Sequence, residues 1–237
     1  MKFRRFLHLL PALTAGGAMM VSMAACGKDE PEGGKNDLRN RVYQQYEVRI
    51  INNSIAAYAN LRRSDASGER VHLSGASSLS VNDQEMYYTP TQTQDFPEFN
   101  YSLPIAPDAA AVTYTLKVND DFSLTNSLPL ASLPEIGIIL ENNAISPSSP
   151  LRLDMAGLAP EDVTVILDDF VVGGAASPIQ GTVSASGIVV FPNLPEPGRY
   201  YLTVTLTRTF PTSQNDGAAS GSIKGIRIST HRVTVTD

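Results

Sequence analysis

From Tyr46 onward, apolar positions in this chain recur at every second residue. Val48 and Ile50, then Ala57, Ala59 and Leu61, alternate with polar or aromatic neighbours. Val112, Tyr114, Leu116 and Val118 share one register. Tyr200, Leu202, Val204 and Leu206 share another, against Tyr201, Thr203, Thr205 and Thr207. Successive side chains of a strand point to opposite faces, so period two marks strands with one buried face. Turn-forming pairs punctuate the runs: Ser67-Gly68, Asn82-Asp83, Asn119-Asp120, Gly173-Gly174 and Asp216-Gly217. Nothing beyond residue 40 keeps a helical period for three turns. The pattern predicts an all-β fold of short antiparallel strands arranged as β-sandwiches.

The apolar run Ile136 to Leu140 gives way to Glu141 to Pro150, a polar stretch with two prolines. A linker is expected there. It divides the folded region into a sandwich over residues 42–145 and a second over 146–237, each of a size that suits seven or eight strands. One larger continuous sandwich is the alternative.

The second half carries the most specific pattern. Gly187-Ile188-Val189-Val190-Phe191-Pro192-Asn193-Leu194-Pro195 leads into Pro197-Gly198-Arg199-Tyr200-Tyr201-Leu202-Thr203-Val204. This resembles the strand–turn–strand signature of transthyretin-like and other immunoglobulin-like domains. The resemblance implies two tandem immunoglobulin-like antiparallel β-sandwiches. It implies a fold and not a function. Gly198 is expected at a tight corner. Tyr200 is expected to bury its ring while its hydroxyl bonds a nearby backbone group, as a tyrosine corner does. Some related collagen-adhesin domains cross-link a first-strand lysine to asparagine. Here the candidate first strand, Leu151 to Met155, offers Arg152 instead, and no such bond is expected.

The opening of the chain is different in kind. Met1 to Arg5 is basic, and Phe6 to Ala25 carries no formal charge and is mostly apolar. A basic start, an apolar stretch and small residues at its end describe a signal peptide over residues 1–25. An uncleaved spanning helix is the alternative. Met23-Ala24-Ala25-Cys26 resembles the bacterial lipobox, with Met23 where Leu is commonest. The resemblance implies cleavage between Ala25 and Cys26, lipidation of Cys26, and a lipid-anchored location at the outer membrane, on its periplasmic or cell-surface side. Two or more acyl chains make such attachment persistent. Residues 26–41 are rich in Gly and charge and read as a flexible tether. The Lys28-Asp29-Glu30 run resembles the acidic surface-export tag of Bacteroidota lipoproteins; an ordinary solvated linker is the alternative.

Charge and composition then narrow the function. The signal holds three of the 18 basic residues and none of the 24 acidic ones, so the mature chain carries 15 against 24, a net of −9. That balance excludes broad binding to nucleic-acid phosphates. Cys26 is the only cysteine, so the chain has neither an internal disulfide nor a cysteine metal site.

Candidate chemistry is sparse. His72 and His231, beyond His8 of the signal, sit in expected strands and read as structural or surface residues. The sequence has no Gly-x-Ser-x-Gly elbow, His-Glu-x-x-His helix or phosphate loop, so no catalytic residue, metal or cofactor is assigned. Asp120-Asp121 and Asp168-Asp169 follow strands, and such pairs could help hold Ca²⁺; both lack the alternating spacing that converges on one ion. Asp168 and Asp169 remain candidate binding residues. Trp is absent, which thins the options for a sugar-stacking face. Tyr87 and Tyr88, or Tyr43 and Tyr46, could serve; adjacent tyrosines in a strand put one ring inside and one outside. The loops 168–176 and 211–221 are expected to carry variable contacts.

The reading that follows is a non-enzymatic, membrane-anchored lipoprotein displaying β-sandwiches as a binding or structural module. Its partners are the membrane, through the lipid, and protein or glycan, through the loops. One alternative is a fimbrial or adhesin subunit. Bacteroidota pilins resemble this plan and are cut at an arginine near the mature start, a role Arg39 or Arg41 could fill. Another is an accessory glycan-binding lipoprotein using Tyr87 or Tyr88.

Overall fold

The computed structural model describes residues 32–33, 42–88, 99–155, 157–169, 177–217 and 219–237. Among them the fold is all-β, as the period-two pattern predicts. The strands are β1 (Glu32–Gly33), β2 (Val42–Ile51), β3 (Ser54–Arg63), β4 (His72–Leu73), β5 (Ser78–Val81), β6 (Gln84–Glu85), β7 (Tyr87–Tyr88), β8 (Tyr101–Ile105), β9 (Ala111–Asn119), β10 (Phe122–Pro129), β11 (Gly137–Ile139), β12 (Ala144–Ile145), β13 (Arg152–Asp154), β14 (Val163–Asp169), β15 (Ile179–Val183), β16 (Val189–Val190), β17 (Gly198–Pro211) and β18 (Gly221–Val235).

A ten-stranded sheet runs β16-β15-β14-β17-β18-β2-β3-β8-β7, with β12 also paired to β18. A four-stranded sheet, β10-β9-β5-β6, and two two-stranded ribbons, β11-β13 and the parallel β1-β4, complete the layers; β1 lies within residues 26–41, where a flexible tether is expected. The alternating residues face inward as expected. Val48, Ile50, Ala57, Ala59 and Leu61 of the large sheet are buried in one core with Val112, Tyr114, Leu116 and Val118 of β9. Tyr46 stacks on Tyr114 across the two layers, ring centroids 4.2 Å apart and 17° from parallel. In β17, Leu202, Val204 and Leu206 are buried and Tyr201, Thr203 and Thr205 face the wetter side.

Three ladders cross the expected boundary between the sandwiches. β18 lies parallel to β2 from Gly221↔Gln44 to Ile228↔Ile51. β12 lies parallel to the end of β18, and β11 pairs with β13. The expectation of purely antiparallel sheets is therefore corrected: the strand in the middle of the large sheet has a parallel partner. Hairpins pair neighbours in sequence and are always antiparallel. A parallel partner comes from far along the chain, and local periodicity carries no trace of it.

The expected linker is strapped down. Asn142 and Asn143 adopt left-handed φ of +55° and +54°, a conformation Asn tolerates better than most residues. The chain then enters β12, Ile145 and Ser146 are buried, and Leu151 is fully buried. The immunoglobulin-like corner is also present, with one correction. The Tyr200 hydroxyl donates to the Glu196 carbonyl at 2.8 Å and its ring is half-buried. The glycine that the turn requires is Gly187, at φ +77°, where a Cβ would lie 2.1 Å from the Leu153 carbonyl oxygen. Gly198 meets nothing closer than 3.5 Å.

Candidate functional site

Ala25, Cys26, Arg39 and Arg41 lie outside the described residues. Tyr87 and Tyr88 form the short edge strand β7. Tyr87 is 74% exposed, whereas Tyr88 is half-buried and stacks on His72 with ring centroids 4.0 Å apart. Tyr88 also meets the edge of Tyr101 at 5.4 Å, and the Leu73 N–H donates to the Tyr101 hydroxyl at 3.0 Å. His72 and Tyr88 thus belong to a packing cluster, and of the two tyrosines only Tyr87 offers an open ring face. Tyr46 does not: it is fully buried, and its hydroxyl donates to Gln44 Oε1 at 2.9 Å. Tyr43 is half-buried.

Asp168 and Asp169 end β14, opposite Tyr201 and Tyr200 of β17. The Asp169 N–H donates to Asp168 Oδ1 at 2.9 Å; residues 170–176 lie outside the described residues. Asp120 and Asp121 form the β9–β10 hairpin turn. There the Asp121 N–H donates to Asn119 Oδ1 at 2.9 Å, and Lys117 pairs with Asp120 at 3.0 Å. Among the described residues there is no group of three His, Cys, Asp or Glu side chains that could hold a metal ion.

The segment 211–221, expected to carry variable contacts, is a clamp instead. Asn126, buried in β10, donates from Nδ2 to Gln44 Oε1 at 3.0 Å and to the Gln214 carbonyl at 2.9 Å. The Gln214 N–H returns to Asn126 Oδ1 at 2.9 Å, and Gln214 Oε1 accepts the Thr125 N–H at 2.7 Å. Asp216 is fully buried and accepts the Val42 N–H on Oδ2 at 3.1 Å. Buried polar groups linked this way fix one arrangement, because any broken link leaves a costly unpaired partner. The loop sews the start of β2 to the small sheet.

Burial also sets the electrostatics of the core. The Tyr46 and Tyr114 hydroxyls are pushed well above the usual phenol range, first because burial disfavours the phenolate. The Tyr114 hydroxyl donates to the Glu47 carbonyl at 2.8 Å. Glu47 itself is buried on the other face of β2, paired with Arg49 and 3.8 Å from Lys224 Nζ. Arg49 in turn lies over the Tyr58 ring at 5.2 Å.

A polar cleft lies elsewhere. It has a volume of about 620 Å³ and is lined by Glu135, Ile138, Asn143, Asp154, His231 and Arg232, among others. A smaller hollow of about 270 Å³ shares Asn143 and Arg232 and adds Arg199 and Thr234. Both signs of charge converge here, from Glu135 ahead of β11, Asp154 of β13, Arg199 of β17 and Arg232 of β18. Sequence reading found His231 but not the cleft, because Glu135, Asp154 and His231 are brought together only by the β11–β13 ribbon and the length of β18.

No protein-family model matches the chain, and no curated protein matches it.

Proposed function

We propose that the protein is a lipid-anchored, non-enzymatic binding module of the bacterial envelope. Cys26 is the acylated residue, and the all-β body is held off the membrane by residues 26–31. The observation that carries this reading is the junction Met23-Ala24-Ala25-Cys26 at the end of a charge-free apolar stretch. Its support from the fold is the position of Val42. The first long strand begins at the residue where the tether composition ends, and the Val42 N–H is tied to buried Asp216. Glu32 and Gly33 pair with β4 of the body, which leaves the six residues from Cys26 to Pro31 ahead of it, at most about 20 Å when fully extended. A rigid body on such a leash samples partners close to the surface. Among the described residues no helix is long and apolar enough to cross a membrane.

Fractionation of a Cys26→Ala variant tests it. The wild-type chain pellets with membranes, while the variant runs as soluble or unprocessed material. A processed variant that still pellets overturns the lipid anchor. Glycan display is the second reading, favoured by the exposed ring of Tyr87. Binding on a glycan array that Tyr87→Ala abolishes supports it, and binding that survives the change removes it.

A further inference from the structure

The two ladders on the β2 side of β18 do not meet. β2 follows β18 as far as Ile228, and β12 joins it again at Thr234. Along Ser229 to Val233 no strand among the described residues lies on that side. Just before β12, Asn142 and Asn143 adopt left-handed φ.

Which backbone groups face this side follows from parity. In a strand the N–H and C=O of one residue point the same way, and the next residue's point oppositely. The Ile228 carbonyl accepts the Asn52 N–H at 3.0 Å, and the Thr236 N–H donates to the Ile145 carbonyl at 3.0 Å. Both bonds lie on the β2 side and both belong to even-numbered residues of β18 or just beyond it. The β17–β18 register runs unbroken from Gly198↔Val235 to Pro211↔Ser222, with no bulge to change the parity. Thr230 therefore presents its N–H and C=O to the interval.

Two other features converge on the same place. The cleft of about 620 Å³ lies against His231, Arg232 and Val233. Its opposite wall is apolar at Ile136, Ile138 and Leu140, which suits a partner with apolar as well as polar positions. The lining carries both signs, with Glu135 and Asp154 against Arg232. A polyanion would need a single-sign field; a neutral backbone with alternating side chains does not.

We propose that this interval is a docking site for an extended segment of a partner polypeptide, which adds as a short strand beside Ser229–Val233. The distance from Ile228 to Thr234 is about 20 Å at strand spacing, so the segment is about four or five residues long. Backbone bonds to β18 supply affinity. Alternate side chains supply selectivity, one set toward the Ile136–Leu140 wall and the other toward the Thr230–Arg232 face. The inference names the partner class for the binding-module reading and rests on that reading only for its setting.

Hydrogen exchange on the full chain carrying Cys26→Ala tests it, so that anchoring plays no role. The probe is the capped pentapeptide Thr-Ile-Thr-Ile-Thr in large excess, with the same peptide N-methylated at alternate residues as control. The free protein should exchange the Thr230 amide faster than its neighbours in β18. The peptide should slow it about tenfold or more, and the methylated control should not. Thr230→Pro should leave the fold intact, because its N–H faces away from β17, and should abolish binding of a fluorescently labelled copy of the peptide read by anisotropy. His231→Pro, which removes an N–H on the β17 side, should disrupt the sheet. A Thr230 amide already as slow as Ile228 in the free protein overturns the site. So does an excess of peptide without effect, or a Thr230→Pro chain that fails to fold. None of these outcomes alters the fractionation that tests the anchor.

Discussion

The two halves of β18 make a useful contrast. From Gly221 to Ile228 the strand is wedged between β17 and β2, so closely that a Cβ at Gly221 would lie 2.5 Å from the Gln44 carbonyl oxygen. At Gly225 a Cβ would lie 2.6 Å from Leu133 Cδ1. From Ser229 to Val233 the same strand keeps β17 on one side and a charged cleft on the other. One half is defined by the absence of spare space and the other by its presence. Continuous pairing to β17 thus coexists with two very different tolerances to change, and a strand's stability is set by what lies on its second edge and its faces.

The contrast breaks most visibly in the core beneath the first half. Tyr114→Ala should cost about 3–5 kcal/mol, read as a lower denaturant midpoint, because it removes a ring fully buried against Tyr46. If the loss is below about 1 kcal/mol, the two layers are not packed as described. Alkaline titration is the next test. The folded phenols are raised in pKa by burial, so their contribution to stability is fully present below about pH 10 and is lost as pH rises above it. Each ionises freely only in the unfolded chain, so stability should fall by about 1.4 kcal/mol per pH unit for each tyrosine. Tyr46→Phe should halve that slope, and an unchanged slope would assign it to other groups.

Gly221→Ala should cost about 1–3 kcal/mol through forced separation of β18 from β2. An equal loss on replacing an exposed residue of the second half would erase the distinction. A single cut between Pro147 and Pro150 should leave one folded species in size-exclusion chromatography, since β2–β18 and β11–β13 span the cut. Two separable pieces would mean that these ladders are weak. The smallest effect is expected for His231→Ala, within about 0.5 kcal/mol, because its side chain stands exposed at the cleft.

Sequence periodicity made the strands legible, since burial alternates wherever one face of a strand is covered. It placed Val112 to Val118 and Leu202 to Leu206 on their correct faces, and it read Tyr200 as a corner residue. It could not reveal β18 against β2, because a parallel pair between distant segments leaves no local mark. It gave 211–221 as a loop carrying variable contacts, because function gathers on sandwich loops. That segment holds buried Asp216, which accepts the Val42 N–H, and its Gln214 backbone carbonyl accepts from the Gln44 and Asn126 side chains. Tyr46 counts as a sugar-platform candidate only as an aromatic ring, and a ring with a bonded hydroxyl serves equally well as core. The cleft was invisible for the same reason as the parallel pair: its residues converge only in the fold.

The joining of the first long strand to the last has a kinetic consequence. The Val42 N–H and the Asp216 carboxylate that receives it are 174 residues apart in the chain, and β2 cannot complete its ladder until β18 exists. Pairings of such long range are closed late and fold slowly, because the loop entropy is lost before the contacts form. A chain emerging N-terminus first must therefore hold the outer edge of β2 open until β18 has appeared. During that wait Val48 and Ile50 lie on an uncompleted strand edge, the kind of surface that aggregates. Removal of Gly221–Val235 would withdraw a strand from the middle of the largest sheet.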